Sequence, residues 1–580
     1  MKSGGKFMIR PDMVASAPVY LPLLGAALIL CGKTFLKGPA VQRVEYIGVF
    51  IGLAIPWAAF IHLFPLVLSG GFIEGTIGDW SSTVGITFRF DALAWLVNIL
   101  GFSVAGAAWI YSIGGGPKGP SFSAVFLIQT ASLAATIMTT DIFNLFVCLE
   151  VLGMASYILV ATSEKPGASL ASFSYLMVST TAMVFFLIGL FGFYRMTGSL
   201  SYATIAKVLS ESGGSTSVTG LVSLSLIIAA VAMRVAVMPL YGWLPDAHAM
   251  APHAVSAVLS GVLIKTPLFA LSRILVLTET GMRSAQLLGY AGAFTAIIAV
   301  VIALSQKDSK RLLAYHSISQ IGYVVSAWGF ALSIGVHTPT GTLIMAAAFL
   351  HAFYHALFKG LLFLSVGTTA DITGSRDVYA LRSASSVLRK AGERFPVTLV
   401  TFAVGALAIS AIPPFNGFAS KTAITYTMKG TFHYYLLTAA AVGTVASFIK
   451  LSRIFWATKP NDTQPDQRVG ASRMIAQILL AALCVAGGIA APRIYSMVVN
   501  MLSVSPEPVY AALPLYSADT LVKTALTVAA GTALFLIAVS SRGSAVLTRI
   551  RERPRSFRGL FISFALGTAG MAAWLTVIYL

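Results

Sequence analysis

The sequence predicts an all-α polytopic membrane protein, and three observations carry that reading. Of its 580 residues 57% are hydrophobic and only 10% charged, with a mean hydropathy of +0.84, whereas soluble domains carry about a quarter charged residues. Sixteen apolar runs approach the roughly 20 residues that a helix needs to cross a bilayer. When these runs are numbered from the N-terminus, the loops on one side collect 22 of the 39 lysines and arginines. Ten lie on the other side and seven inside the runs. Cytoplasmic loops carry the excess of Lys and Arg, so both termini are expected outside a bacterial-type cytoplasmic membrane. The same asymmetry explains the net charge of +19 without nucleic acid, because no basic soluble segment is interleaved with aromatics.

The candidate spans run near Val19–Cys31, Tyr46–Val67, Ala92–Ile113, Phe122–Met138, Ile142–Ala161, Phe173–Tyr194, Leu221–Met238 and Val255–Leu277. They continue near Leu287–Leu304, Leu312–Ala331, Leu343–Val366, Val397–Ile412 with a continuation past Pro414, Tyr435–Trp456, Met474–Ala491, Leu521–Val539 and Leu560–Leu580. The first follows Lys2, Lys6 and Arg10 with no clear small-residue cleavage site, and reads as a retained span. Two spans are broken. Pro239 interrupts the seventh and Pro413-Pro414 the twelfth. Proline removes a ladder donor and clashes with the preceding turn, which a membrane tolerates only where protein or water satisfies the freed backbone. Paired broken helices point to an internally repeated transporter. LSRI, at Leu271–Ile274 and again at Leu451–Ile454, closes the span after each break, so spans four to eight echo spans nine to thirteen. The chain divides accordingly into 1–115, 116–280, 281–458 and 459–580.

Ionisable residues inside the spans supply the functional signal: Glu150, Arg234, Lys265, His316, His351, His355, Lys359 and Lys421. Each central basic residue costs roughly 2.5–3.5 kcal/mol to insert, so four of them weigh as much as a typical fold's whole margin of about 5–15 kcal/mol. Lys265 has ten residues of apolar helix on either side, too many for its stem to reach water. For Lys450 and Arg453, near the end of span thirteen, snorkelling to the interface is the simpler expectation. His351, His355 and Lys359 recur at i, i+4 and i+8 and form one stripe. An HxxxH pair can hold zinc, but no Glu follows the first His and no third ligand is evident. Histidines pass protons near neutral pH, and a desolvated lysine can titrate, so the stripe reads as a proton file. Arg234 is the natural counter-charge for Glu150. Asp246 and His248, beside the first break, are a candidate entrance.

Cys31, Cys148 and Cys484 lie far apart, with no CxxC or Cys/His ligand spacing, and no dinucleotide or P-loop fingerprint is present. The expectation is therefore no cofactor, no metal site and no catalytic site in this chain.

The stretch WLPDAHAMAPHAVSAVLSGVLIK, followed in order by KRLLAYHSISQIGY, HAFYHALFKGLLFL and IPPFNGFASK, resembles the antiporter-like subunits of respiratory complex I, Mrp cation/proton antiporters and membrane-bound hydrogenases. NLFVCLEVL looks most like the D-type subunit of Mrp antiporters. The resemblance implies fourteen core helices with two inverted five-helix repeats and proton movement along a mid-membrane polar axis, which leaves about two of the sixteen runs, after Ala491, as extra C-terminal helices beyond that core. It also implies partner membrane subunits and exchange of H⁺, alone or against Na⁺ or K⁺, with any redox chemistry on other subunits. Glu150, Lys265 and Lys421 match the family's ionisable positions in spans five, eight and twelve. Arg234 stands where the family has lysine, and Tyr241 and Gln320 stand where histidine is common. Arginine does not deprotonate in proteins, so Arg234 is expected to be a fixed electrostatic partner. Two rival classes remain beside this one: a proton-coupled subunit of an inorganic-carbon uptake system, and a non-transporting membrane scaffold whose charges specify packing.

Overall fold

A computed structural model describes residues 10–80, 85–456, 464–503 and 513–552, with isolated positions between 562 and 577. The sixteenth candidate span, Leu560–Leu580, lies outside the continuously described residues, as do Lys2, Lys6, Lys459, Arg553, Arg555 and Arg558. Among the described residues twelve helices are long and apolar enough to cross a membrane, and the chain is an integral multi-pass protein. A helix occupies each of the first fifteen candidate spans. Three of them miss the length-and-hydropathy criterion for physical reasons. The seventh and twelfth are cut by their prolines to Val218–Arg234 and Val397–Ile409, and the tenth, Ser309–Ser333, carries serines, His316 and Gln320 along a buried length.

One departure from all-α is a small antiparallel hairpin, Ile73–Thr76 with Thr87–Phe90, between the second and third spans. Its second strand alternates inward Phe88 and Phe90 with outward Thr87 and Arg89, the period-2 pattern of a half-buried strand.

The fold is concentric. The Lys265 helix, His253–Leu275, is buried all round, and the histidine helix, Pro339–Thr373, nearly so. Pro120–Met138 packs beside the Lys265 helix, while Ala518–Val539 exposes most of its surface at the periphery. Glu279–Ser305 and Ser309–Ser333 touch backbone to backbone. Gly289 and Gly292 of one meet Gly329 and Gly322 of the other, where a Cβ on Gly292, Gly322 or Gly329 would overlap the neighbouring main chain. Without a hydrophobic drive between helices in lipid, such small-residue seams let dispersion hold the pair.

Candidate functional site

At the first break the Val218–Arg234 helix stops, Ala236 takes φ 58° and a cis Met238-Pro239 bond follows. Arg234, the last helical residue, is buried. Its guanidinium donates to Ser179 Oγ at 2.9 Å and to the Leu149 carbonyl at 2.7 Å, and lies 3.7 Å from Glu150 Oε1. Gly153, one turn beyond Glu150, leaves room for it, since a Cβ there would sit 3.0 Å from the guanidinium. The expected pair is thus brought together, and its bonds stay among the Ile142–Ala161, Ala168–Thr197 and Val218–Arg234 helices. The end of the broken half-helix is closed by a neutral donor: Trp243 Nε1 donates to the Met233 carbonyl at 3.0 Å.

Lys265 does not sit in the uninterrupted helix that the sequence suggests. A π-helical turn, Leu259–Leu263, precedes it and leaves carbonyls that the regular ladder does not satisfy. The ammonium fills that role, donating to Ser260 O at 3.1 Å and to Gly261 O. Ser260 Oγ in turn meets Ser317 Oγ at 2.7 Å on the tenth-span helix.

His351, His355 and Lys359 form the expected stripe, fully buried. The two imidazoles lie parallel within 10°, their centroids 6.1 Å apart. His351 Nδ1 pairs with Ser420 Oγ at 3.0 Å, which ties the stripe to the second break. Lys359 donates to Leu313 O at 2.5 Å and sits 4.9 Å from the centre of the Phe363 ring. Lys265 lies within electrostatic range of His355, His351 and Lys359. His316 packs 4.9 Å from the Phe448 ring. Neither nitrogen of His248, His316 or His355 has a hydrogen-bond partner among the described residues. A buried polar group left so costs about 1–3 kcal/mol.

The second break repeats the first in backbone. Val397–Ile409 ends, Ala411 takes φ 58° and a cis Pro413-Pro414 bond follows. Here the donor is charged. Lys421 Nζ bonds the Ile409 carbonyl at 2.8 Å and lies 4.9 Å over the Tyr323 ring, whose other neighbour is His351 at 5.5 Å. A cavity of about 400 Å³ opens beside Lys421 and runs past Thr425 and Thr524 to Lys429, Asp519 and Lys523. Its outer wall is Ala518–Val539, the first of the two C-terminal helices beyond the expected core.

Asp246 and His248, paired in the sequence reading as an entrance, part company. Asp246 is a surface carboxylate bridged to Arg311 at 2.5 Å. His248 is fully buried, 5.8 Å from the Phe363 ring, so it faces the stripe. Lys450 does not snorkel: it is buried and donates to Leu304 O at 2.5 Å and Gln306 O at 2.8 Å. These carbonyls end the Glu279–Ser305 helix and are short of intrahelical donors, a better partner than distant water. Arg453, by contrast, is exposed. Arg273 is structural, forked onto Asp91 at 2.8 and 2.9 Å. Burial alone would raise the Asp91 carboxyl, but the Arg273 charge and its hydrogen bonds outweigh it and hold the group below the usual carboxylate range.

Four buried charged residues and partners escaped the sequence reading. Lys310, which falls between the ninth and tenth candidate spans, is fully buried and donates to Ala251 O at 2.5 Å. Arg473, which falls between the thirteenth and fourteenth, is buried and lies 3.3 Å from Asp371, which His253 Nε2 meets at 3.0 Å. A signal was present: Asp371 continues the four-residue period of the stripe, and His253 opens the helix that carries Lys265.

The sequence profile of the NADH:quinone oxidoreductase/Mrp antiporter transmembrane family matches residues 139–450. The N-type subunit of the NADH-quinone oxidoreductase of Desulforudis audaxviator is 31% identical over 420 residues, 71% of this chain and 78% of that protein. The D-type subunit of the Na⁺/H⁺ antiporter of Alkalihalophilus pseudofirmus is 29% identical over 493 residues, 82% of this chain and 94% of that protein. A chain in the structure of the Mrp complex from Dietzia superposes with a TM-score of 0.75 at 22% identity, covering 90% of this chain and 100% of that one.

Proposed function

The chain belongs to the NADH:quinone oxidoreductase/Mrp antiporter family of membrane proteins, and from that premise we infer that it is the proton-translocating membrane subunit of a multisubunit complex. Protons move along Lys265, Lys359, His355 and His351 to Lys421, with Glu150–Arg234 as a charge pair whose state biases Lys265. His316 and His248 flank the file. H⁺ moves alone or against Na⁺ or K⁺, and in a redox translocase the electron chemistry sits on partner subunits. The observation that carries this reading is the file's ending: Tyr323 lies between His351 and Lys421, and Lys421 adjoins a cavity that reaches exposed Asp519 and Lys523. Buried ionisable groups at membrane depth mark ion paths by default, and here the path has an opening.

The architecture that goes with this function is a fourteen-helix core of two inverted five-helix repeats, 116–280 and 281–458, with both termini outside. Two breaks with the same alanine φ and the same proline offset support the repeat. The Ala518–Val539 helix, beyond that core, serves as outer wall of the opening at Lys421.

The test is a Lys265→Ala chain carried in native membranes, with proton flux read from ΔpH and the co-purifying subunits identified by mass spectrometry. Loss of flux with the complex intact is expected; undiminished flux would sink the route. Small hydrophobic partners of Mrp type direct the next assay to Na⁺ and K⁺, whereas iron–sulfur or hydrogenase partners make the chain the pumping arm of a redox machine.

A further inference from the structure

The stripe on the histidine helix does not stop at Lys359. The same four-residue period continues through Phe363 and Gly367 to Asp371, about 18 Å further along at 1.5 Å per residue and on the face that carries the basic loops. The His253 ring packs on Gly367, in the space that any side chain there would need. Its Nε2 meets Asp371 Oδ1 at 3.0 Å, with the imidazole side chain 4% exposed and the carboxylate 25% exposed. Asp371 therefore touches both water and a buried imidazole. Its second oxygen lies 3.3 Å from Arg473, which fixes the carboxylate's direction. His253 Nδ1 has no partner among the described residues. Inward of this pair, the Phe363 ring separates it from Lys359 and is also the ring against which His248 packs.

We propose that Asp371 and His253 form the port through which protons pass between water on the basic-loop face and the buried stripe. The proposal rests on the proton-moving function inferred above. In the inward direction the Asp371 O–H bond breaks as an Nε2–H bond forms on His253. The carboxylate is reprotonated from water, the Nδ1–H bond of the imidazolium breaks as an O–H bond forms on a water molecule on the stripe side, and rotation of the neutral ring returns its bare nitrogen to Asp371 for the next proton. Arg473 is a positioning residue. The other charges that act on His253 are Lys310 at the start of Ser309–Ser333 and Lys165 in the loop before Ala168–Thr197. A purely structural clamp joining three helices is the competing account.

The two are separated in membranes containing the whole complex. Asp371→Asn alone strands a buried arginine, so the informative chain is Asp371→Asn with Arg473→Gln, beside Asp371→Glu and His253→Gln. A port predicts that Asp371→Glu keeps most of the flux. The double variant should lose about a hundredfold or more, as expected for a positioned acid–base group, and regain flux as pH falls and bulk protons substitute for the carboxyl, whereas His253→Gln, which keeps Asp371 but removes the relay nitrogen, should lose as much at every pH. Wild-type flux in either variant, or a loss in the double variant of equal size at every pH, overturns the port. Lys421→Met serves as the reference: if it too leaves flux intact, the proton-moving function itself fails, and if it abolishes flux while the double variant does not, only the port fails.

Discussion

Arg234 and Ile409 each end an apolar half-helix, and two residues later Ala236 and Ala411 take the same φ of 58°. The same back-bond closes both turns, Val237 N to Ala232 O and Ile412 N to Leu407 O, each at 3.0 Å, and each prolyl bond lies three residues past its alanine. The side chains that finish the two breaks differ. In the first, the neutral indole of Trp243 donates to the helix-end carbonyl of Met233, and the buried charge, Arg234, turns sideways to Glu150. In the second, the ammonium of Lys421 donates to the helix-end carbonyl of Ile409. A cation at a helix C-terminus is electrostatically favoured, and this cation can lose its proton. On the proposed function, one backbone device serves as a fixed joint in the first half and as a proton-responsive joint in the second.

The comparison is broken most directly at Lys421. Lys421→Met should leave the helix end and the cavity in place while removing the titrating donor. Proton flux through the assembled complex should fall roughly a hundredfold, the low end for loss of a positioned acid–base group. Lys421→Arg keeps the charge but cannot release a proton, and should be as defective. Flux close to wild type in the arginine variant would mean that the charge alone suffices and that the two breaks do the same work.

Much of this contrast was legible in the chain. Pro239 and Pro413-Pro414 marked the breaks, and the i, i+4, i+8 spacing put His351, His355 and Lys359 on one face. Charge balance paired Glu150 with Arg234 before any distance was known. What the sequence hid has a common cause. Trp243 as a helix-end donor, Lys450 on the Leu304 and Gln306 carbonyls, and Lys265 on the carbonyls of a π turn all satisfy main-chain groups far from, or differently arranged than, the local pattern. Hydropathy reads side chains, not orphaned carbonyls. Lys310, Arg473 and Asp371 were missed because a charge just beyond an apolar run counts as solvated by position. Neighbouring helices, remote in sequence, cover Lys310 and Arg473 and bring Arg473 and His253 to the half-buried Asp371.

A smaller effect sharpens the first half of the comparison. Arg234→Gln leaves the Glu150 carboxylate without its counter-charge. Breaking a buried pair costs about 3–5 kcal/mol, and the expected loss here is near 3 kcal/mol, because the Glu150 side chain keeps 25% exposure. Thermal unfolding of the detergent-solubilised complex should register it. Adding Glu150→Gln should recover most of the loss, since two neutral amides strand no charge. If the double variant is as unstable as the single one, the bonds to Ser179 and Leu149, rather than the ion pair, hold this joint.

The smallest effect bears on whether the first joint is fixed at all. Trp243→Phe removes one N–H donor and keeps an aromatic ring on Tyr175, where the native rings stack at 4.2 Å and 10°. The Met233 carbonyl loses a bond worth about 1 kcal/mol net, and carbonyls with two lone pairs tolerate under-satisfaction better than buried N–H groups. The expected outcome is a slightly lower unfolding temperature with unchanged flux and unchanged pH dependence. That pairing of results is informative because the deleted bond is the counterpart of the one Lys421 makes. If breaking a helix-end bond by itself stopped transport, Trp243→Phe and Lys421→Met would fall together, and the break would work as a mechanical hinge in both halves. If only Lys421→Met fails, the proton on the donor, rather than the bond to the helix end, is what transport requires.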